Sequence, residues 1–318
     1  MSARSGVSVS EETRRNGRET DARSYYGRPI LKEPTWTWEI PCYFFFGGLA
    51  GASSGLAFVA GLSGNHRLAR SARLAALAGA SVSPVLLISD LGRPERFYNM
   101  LRVFKPTSPM SVGTWVLTGF GPSAGISALA DVLGVFPRLG RLCGAGATLL
   151  GPALSTYTAV LIADTSIPVW HEARRELPLV FAASSAASAG AAAAILTPTG
   201  DAGPARRLAA GGALVEVAVV EAMKHRLGKL LAEPYEQGEA SRCDKLATVS
   251  SVLGAAVIGL FGRRRRLAAA AGGALILAGA ALERWAIYRA GFQSARDPKY
   301  TVIPQRERRD FRDREQAR

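Results

Sequence analysis

Long stretches of the chain contain no charged side chain, and they constrain the fold more than any other feature of the sequence. Residues 177–199 and 267–282 are two such stretches, and each is about as long as the hydrocarbon core of a bilayer is thick. A soluble globule cannot bury many helices that are apolar on all sides. The sequence therefore predicts an all-α integral membrane protein. It excludes secreted disulfide scaffolds, coiled coils and disordered chains as descriptions of the whole protein.

Eight apolar spans are predicted. They cover residues 38–62, 72–91, 112–134, 141–163, 177–197, 205–226, 246–262 and 267–289. Several are rich in glycine, alanine and serine, which lets helix backbones approach closely in lipid. We expect a polar, partly disordered tail over 1–35, an eight-helix transmembrane domain over 36–290 and a charged extramembrane tail over 291–318.

The net charge of +14 is concentrated in the loops and tails. The loops after spans one, three, five and seven are short and basic, whereas the loops after spans two, four and six are longer and carry both signs. Short basic loops favour the cytoplasmic side of a membrane, so both termini are expected outside. Because basic side chains at helix ends anchor spans and set topology, we expect a lipid bilayer and no nucleic acid as the partner of this charge.

Three cysteines and three histidines limit the redox groups that this chain can hold. The cysteines lie about a hundred residues apart, whereas an iron–sulfur cluster needs about four thiolates and a structural zinc site needs four clustered ligands. None of the histidines falls in the middle of a span; they are His66, His171 and His225. We therefore expect no haem, no iron–sulfur cluster and no metal site in this chain.

The most informative segment lies between spans two and three. It reads DLGRPERFYNML over residues 90–101 and PTSPMSVGTW over residues 106–115. Asp90 ends an apolar helix close to Arg93 and Arg96, which makes a charge cluster at the membrane edge. Two interpretations are open: an ion pair that fixes the turn, or a polar site at the mouth of the bundle. The second follows because ionisable groups at membrane depth are costly and usually functional.

Four further carboxylates near membrane depth are candidates for proton transfer. They are Asp164, Glu216, Glu221 and Glu283, the last beside Arg284. Glu216 and Glu221 are separated by about 140° around a helix axis, so they need not share a face. For each of these residues a structural hydrogen-bond network is as good an explanation as a proton path.

The segment over 90–115 resembles the membrane subunits of the polysulfide reductase (NrfD-like) family. Three further segments are similar to that family: the aromatic and glycine-rich start of span one, the STYTAVLIA signature at 155–163, and a tail motif that begins with RAG at 289. The resemblance covers about residues 25–305. The long motif after span two is its most specific part.

The resemblance implies a haem-free subunit of two four-helix bundles that binds a quinone, menaquinone or ubiquinone, near one face of a prokaryotic plasma membrane. It also implies two partners, a ferredoxin-like iron–sulfur subunit and a molybdopterin-type catalytic subunit, so the chain is not catalytic alone. The alternatives are a quinone-free structural subunit of a respiratory complex and an unrelated transporter. A transporter favours broken helices and inverted repeats, which this sequence does not display.

The resemblance further assigns three residues to a quinone site. Tyr157 matches a tyrosine that donates a hydrogen bond to a quinone carbonyl, or it is only a packing tyrosine. Asp90 matches a carboxylate near the headgroup, and it either accepts a proton or pairs with Arg93. Glu39 stands where relatives carry a histidine, and it either replaces that histidine or caps a helix.

These assignments predict a common location. The start of span one and the ends of spans two and four lie at the same membrane face, so Tyr157, Asp90 and Glu39 should converge there, with Arg93 and Arg96 at the mouth. The loop over 90–111 and the segment over 289–301 should share this face and dock the iron–sulfur partner.

Overall fold

The computed structural model describes residues 30–316, apart from the side chains of 310–312 and 316, and all regular structure in that range is helical. The expected disordered tail falls mostly on residues 1–29, which lie outside the described residues. The elements in chain order are α1 (Glu39–Leu62), α2 (His66–Asp90), a 3-10 turn (Pro94–Arg96), α3 (Phe97–Met100), α4 (Pro109–Leu133), α5 (Pro137–Ala163), α6 (Pro168–Glu172), α7 (Leu177–Leu196), α8 (Gly203–Glu236), α9 (Gly238–Leu260), α10 (Arg266–Arg296) and α11 (Lys299–Gln316).

Within residues 30–316, seven helices are long and apolar enough to cross a membrane: α1, α2, α4, α5, α7, α9 and α10. Each predicted span overlaps one long helix, and most of these helices extend further because their polar ends continue beyond the apolar stretch. Helix α8 contains predicted span six but falls short of that apolarity. It carries Glu216, Glu221 and Lys224 along its length.

The long helices pack in two groups. In the first half of the chain, α1 packs on α2 and α5, while α4 packs on α5 and α2; in the second half, α7 packs on α8 and α10, while α9 packs on α8 and α10. Helix α1 joins the halves by packing on α7. A Cβ atom added to Gly51 of α1 would lie 2.4 Å from the carbonyl oxygen of Gly151 of α5. The two backbones are therefore in direct contact, as small residues allow in lipid.

Local sequence sets several helix ends. The Asn65 side chain accepts a hydrogen bond from the Leu68 amide (3.1 Å) and so caps α2. Gly134 ends α4 with φ +67°, a left-handed conformation that favours glycine. Pro137 then starts α5, where its missing amide hydrogen costs nothing. Helix α8 is kinked at Gly228, whose φ is +70°.

The first and last parts of the helical domain meet at one end of the molecule, called the site end. Arg296 pairs with Glu33 (2.9 Å), and the Tyr288 hydroxyl donates to the Trp36 carbonyl oxygen (2.6 Å). The opposite end, called the basic end, contains the turns after α1, α4, α7 and α9. There Asn65 donates to the Asp201 carbonyl oxygen across two of these turns (2.8 Å).

Candidate functional site

A cavity of about 230 Å³ lies at the site end among α1, α2, α4 and α5. Its wall is mainly aromatic and aliphatic, and it includes Trp36, Tyr43, Phe44 and Tyr157, with Asp90 as its carboxylate. Two residues that the sequence assigned to a common site, Tyr157 and Asp90, therefore line the same cavity. We call it the site-end cavity.

Tyr157 owes its position to a glycine on the facing helix. A Cβ atom on Gly113 of α4 would lie 2.0 Å from Cε2 of the Tyr157 ring, so any larger residue there would displace the ring. Gly113 belongs to the PMSVG segment of the sequence motif. Its close approach to the Tyr157 ring is the physical reason for a glycine at this position. Tyr157 is only partly buried, since one side of its ring faces the cavity.

Tyr43 is the residue of this site that sequence reasoning did not select. It is 1% exposed, it lines the cavity, and its ring meets Tyr157 edge-on at 6.4 Å. Its hydroxyl has no hydrogen-bond partner among the described residues, although a buried polar group without a partner costs about 1–3 kcal/mol. The sequence shows Tyr43 only as part of an aromatic helix start, and no local signal marks its hydroxyl.

Asp90 and Glu39 are joined by Thr37. Asp90 Oδ1 accepts hydrogen bonds from the Thr37 amide (3.0 Å) and the Thr37 hydroxyl (2.7 Å), and the same hydroxyl also contacts the Glu39 carboxylate. A hydroxyl carries one proton, so it can donate to only one carboxylate at a time. Glu39 is the first residue of α1, where its charge also suits the helix dipole. It does not line the cavity.

The remaining candidates of the first half lie at the surface. Arg93 and Arg96 are exposed, and neither comes within ion-pair distance of Asp90 in the part of the chain that the structure describes. The hydrogen-bond partner of Asp90 is therefore Thr37, and Asp90 does not pair with Arg93. Asp164 is exposed immediately after the last residue of α5, and the structure does not bring it to the cavity.

Residues from the second half of the chain pack against one wall of the cavity. Trp36 stacks on Trp170 with ring centroids 5.7 Å apart. The Trp170 indole nitrogen donates to the Ile287 carbonyl oxygen of α10 (2.8 Å), and Tyr288 of the same helix holds the Trp36 backbone. One wall of the cavity is thus positioned by α6 and α10, which follow it in sequence by more than a hundred residues.

A second polar region, called the buried ionic cluster, consists of Glu216, Glu283 and Arg284. Their exposed fractions are 2%, 3% and 1%. The Arg284 guanidinium lies over the Phe181 ring, 3.5 Å from its centroid, and donates to the Phe181 carbonyl oxygen (2.9 Å). Neither carboxylate oxygen of Glu216 has a well-aligned donor among the described residues.

A groove of about 780 Å³ opens beside this cluster at the kink of α8. Lys224 pairs there with Asp244 (3.0 Å) and with Glu221 (2.5 Å). Glu221 is largely exposed, so it belongs to the groove and not to the buried cluster. Tyr235 lines the groove with a buried hydroxyl that lacks a partner in the described residues. Asp244 and Tyr235 are both neighbours of Glu283.

The surface of the site end is shaped by the loop after α2 and by α11. The loop exposes apolar side chains at Tyr98, Val103 and Phe104. Helix α11 is tied down by Lys299, which pairs with Glu233 (2.9 Å). The Glu233 carboxylate holds the pKa of Lys299 above its usual range by hydrogen bonding to the ammonium. An exposed apolar surface with a charged surround is typical of a protein-binding surface.

Comparison with known proteins gives one finding on the family. A family profile described as polysulfide reductase matches residues 23–296, which covers most of the chain. A search of curated proteins found no match.

Proposed function

Starting from a chain that belongs to the polysulfide reductase (NrfD-like) family, and that is therefore a multi-pass membrane subunit of an oxidoreductase complex, we propose that it exchanges electrons between membrane quinone and a partner iron–sulfur subunit. The quinone is menaquinone or ubiquinone. A molybdopterin-type catalytic subunit completes the complex, and this chain is not catalytic alone.

The observation that carries the proposal is the pair of tyrosines in the site-end cavity. Tyr43 offers a buried hydroxyl that has no acceptor among the described residues, and Tyr157 lines the same wall. A quinone headgroup presents two carbonyl acceptors to such donors. The cavity volume of about 230 Å³ is below the roughly 300–1,000 Å³ of pockets that enclose a drug-sized ligand. That size suits a quinone headgroup whose tail stays in lipid.

The residues of the cavity have distinct proposed roles. A bound quinone or quinol supplies two-electron, two-proton redox chemistry. Tyr157 and Tyr43 orient it by donating hydrogen bonds to its carbonyl oxygens. Asp90 accepts a released proton as a general base, and the Thr37 hydroxyl connects Asp90 to Glu39. Since Thr37 has one proton for two carboxylates, that contact favours passing a proton along the chain of three groups.

We place the docking surface for the iron–sulfur partner at the site end. The exposed loop residues Tyr98, Val103 and Phe104 support this placement, as does α11, which covers the adjacent surface. Arg93 and Arg96 lie beside them, exposed and without a bond to Asp90. Because the chain carries too few thiolates for a cluster of its own, electrons would pass directly between the quinone and the partner's cluster.

Our topology has eight spans in two four-helix bundles, with α8 as the additional span. The Arg296–Glu33 pair supports it, because chain ends that meet at one face require an even number of crossings. The buried ionic cluster explains the lower apolarity of α8, since its charge is shielded by neighbouring helices. We propose that the basic end lies on the cytoplasmic side of a prokaryotic plasma membrane and that both termini lie outside, and the arginines of that end support this orientation.

Glu216 and Glu283 are proposed as proton carriers in the second half. Their burial next to a groove that contains Lys224, Asp244 and Tyr235 supports this role, because ionisable groups inside membrane bundles usually serve function. Glu221 and Asp164 are weaker proton-transfer candidates since both are exposed.

Replacement of Tyr157 by Phe tests the quinone site. The change removes one hydrogen bond, worth about 0.5–1.5 kcal/mol net, so quinone turnover by the purified complex should fall while activity with artificial acceptors persists. Thr156→Val is the matched control, because it removes a hydroxyl from the neighbouring position of α5 that bonds the Pro152 carbonyl oxygen and does not line the cavity. Quinone should also be retained after mild purification. Unchanged quinone turnover in both Tyr157→Phe and Tyr43→Phe, together with no retained quinone, would favour the structural-subunit alternative.

A further inference from the structure

A second cavity, called the basic-end cavity, lies at the opposite end of the first four helices. Its volume is about 480 Å³. Ala147 lines it and Tyr157 lines the site-end cavity, and these two residues are about 15 Å apart along α5 at 1.5 Å per residue. The two cavities are therefore separate, and the proposed quinone chemistry leaves this one without a role.

The cavity is apolar inside and cationic at its rim. The buried residues Ala57 and Ala147 form its deep part, while His66, Arg73 and Arg141, which are exposed or partly exposed, lie at its edge. Phe58 and Leu62 also line it, and both are exposed on the outer surface of α1. The apolar part is thus continuous with a surface that faces lipid.

The charges at the rim are arranged to receive an anion. Arg73 pairs with Asp131 (2.6 Å), whereas Arg141 has only a long bond to the Pro137 carbonyl oxygen (3.4 Å) and no carboxylate partner in the described range. The N-terminal turns of α2 and α5 contribute His66 and Gly140 to the lining. Helix N-termini add positive potential at these places.

One acceptor at the rim also lacks a donor. Asp131 binds Arg73 through Oδ1, while its Oδ2 is buried without a hydrogen-bond partner among the described residues. A ligand that carries both a phosphate and a hydroxyl would satisfy Arg141 and Asp131 together.

We propose that the basic-end cavity binds an anionic phospholipid whose headgroup carries a hydroxyl, of the phosphatidylglycerol class. The phosphate lies at Arg141 and Arg73, the headgroup hydroxyl donates to Asp131, and one acyl chain lies along Ala57 and Phe58. Free phosphate would leave the apolar part unfilled. A neutral quinone ring would leave the cationic rim without an anion.

Lipid binding to the purified complex tests this proposal, with phosphatidylglycerol and phosphatidylcholine as probes and mass spectrometry of the intact complex as the readout. We expect one phosphatidylglycerol to be retained in preference to phosphatidylcholine. Arg141→Gln should weaken its binding about tenfold, the size expected for one charge-assisted hydrogen bond. Arg138→Gln is the matched control, because it removes the same charge one turn earlier on α5 and outside the cavity.

A second variant tests the acyl-chain part without changing charge. Ala57→Leu fills the deep part of the cavity and should weaken both lipids. Equal retention of the two lipids, or equal loss in Arg138→Gln and Arg141→Gln, would overturn the proposal in favour of a general charge effect. Competition by inorganic phosphate with no effect of Ala57→Leu would overturn it in favour of a free-anion site. Quinone turnover should be unchanged in Arg141→Gln, so this test is independent of the quinone proposal.

Discussion

The site-end cavity and the buried ionic cluster both hold polar side chains inside a membrane protein, but they do so in different ways. The site-end cavity in the first half keeps free volume and offers neutral hydroxyls to it, with its carboxylate at the mouth held by Thr37. The buried ionic cluster in the second half keeps its charges fully buried, and Arg284 is held by an aromatic ring and a backbone carbonyl. The first arrangement suits a ligand that enters and leaves, whereas the second suits groups that stay in place.

The difference teaches where a membrane subunit can tolerate change. Removing a tyrosine hydroxyl beside the cavity should cost little stability, because it leaves no buried charge behind. Removing a buried ion should cost more stability, because neighbouring charges then stay buried without compensation. Variants of the site-end cavity should therefore lower turnover alone, whereas variants of the buried ionic cluster should also lower assembly.

The largest effect is expected from Arg284→Leu. It removes the buried cation nearest to Glu216 and Glu283, together with the hydrogen bond from its guanidinium to the Phe181 carbonyl oxygen. The yield of assembled complex and its thermal stability should therefore fall sharply. Arg289→Leu is the control on the same helix, since its pair with Glu239 is partly exposed and worth about 1 kcal/mol or less. Equal stability of the two variants would contradict a structural role of the cluster.

Gly113→Ala should produce the largest effect on turnover. The added Cβ would lie 2.0 Å from the Tyr157 ring, so the ring must move, and a displacement of about 1 Å near reacting groups can cost on the order of a hundredfold in rate. Assembly should persist because the ring can turn into the cavity. Gly121→Ala on the same helix is the control, as no atom lies within 4 Å of its added Cβ.

Glu216→Gln should have an intermediate effect on both measures. The amide keeps the shape of the side chain but removes a negative charge near Arg284, so the free energy of unfolding should fall by about 1–3 kcal/mol. Quinone turnover per assembled complex should fall severalfold, while turnover with an artificial acceptor should not. If turnover per assembled complex stayed at the native level, the residue would be structural only.

The smallest effect is expected from Thr37→Val. Asp90 keeps the hydrogen bond from the backbone amide of residue 37 but loses the one from the hydroxyl, worth about 0.5–1.5 kcal/mol. Quinone turnover should fall by less than about tenfold, with a changed pH profile because the link between Asp90 and Glu39 is broken. Thr35→Val, in the same segment and on the cavity wall, should leave the pH profile unchanged.

The sequence by itself determined the helices, the membrane environment and the family. Apolar runs bounded by charged loops are local signals, and each predicted span overlaps a helix. The motif after α2 and the fourth-span signature indicated the family, which the match over residues 23–296 confirms. They also predicted Asp90 and Tyr157 as site residues, and both line the site-end cavity.

Other features were decided only by the tertiary structure. The partner of Asp90 is Thr37 and not the nearby Arg93, because the chain before α1 folds back onto the end of α2. Tyr43 became a candidate through the missing partner of its hydroxyl. Glu216 is buried whereas Glu221 is exposed. Each outcome depends on how a helix is rotated against neighbours distant in sequence, because burial is a property of packing and periodicity does not contain it.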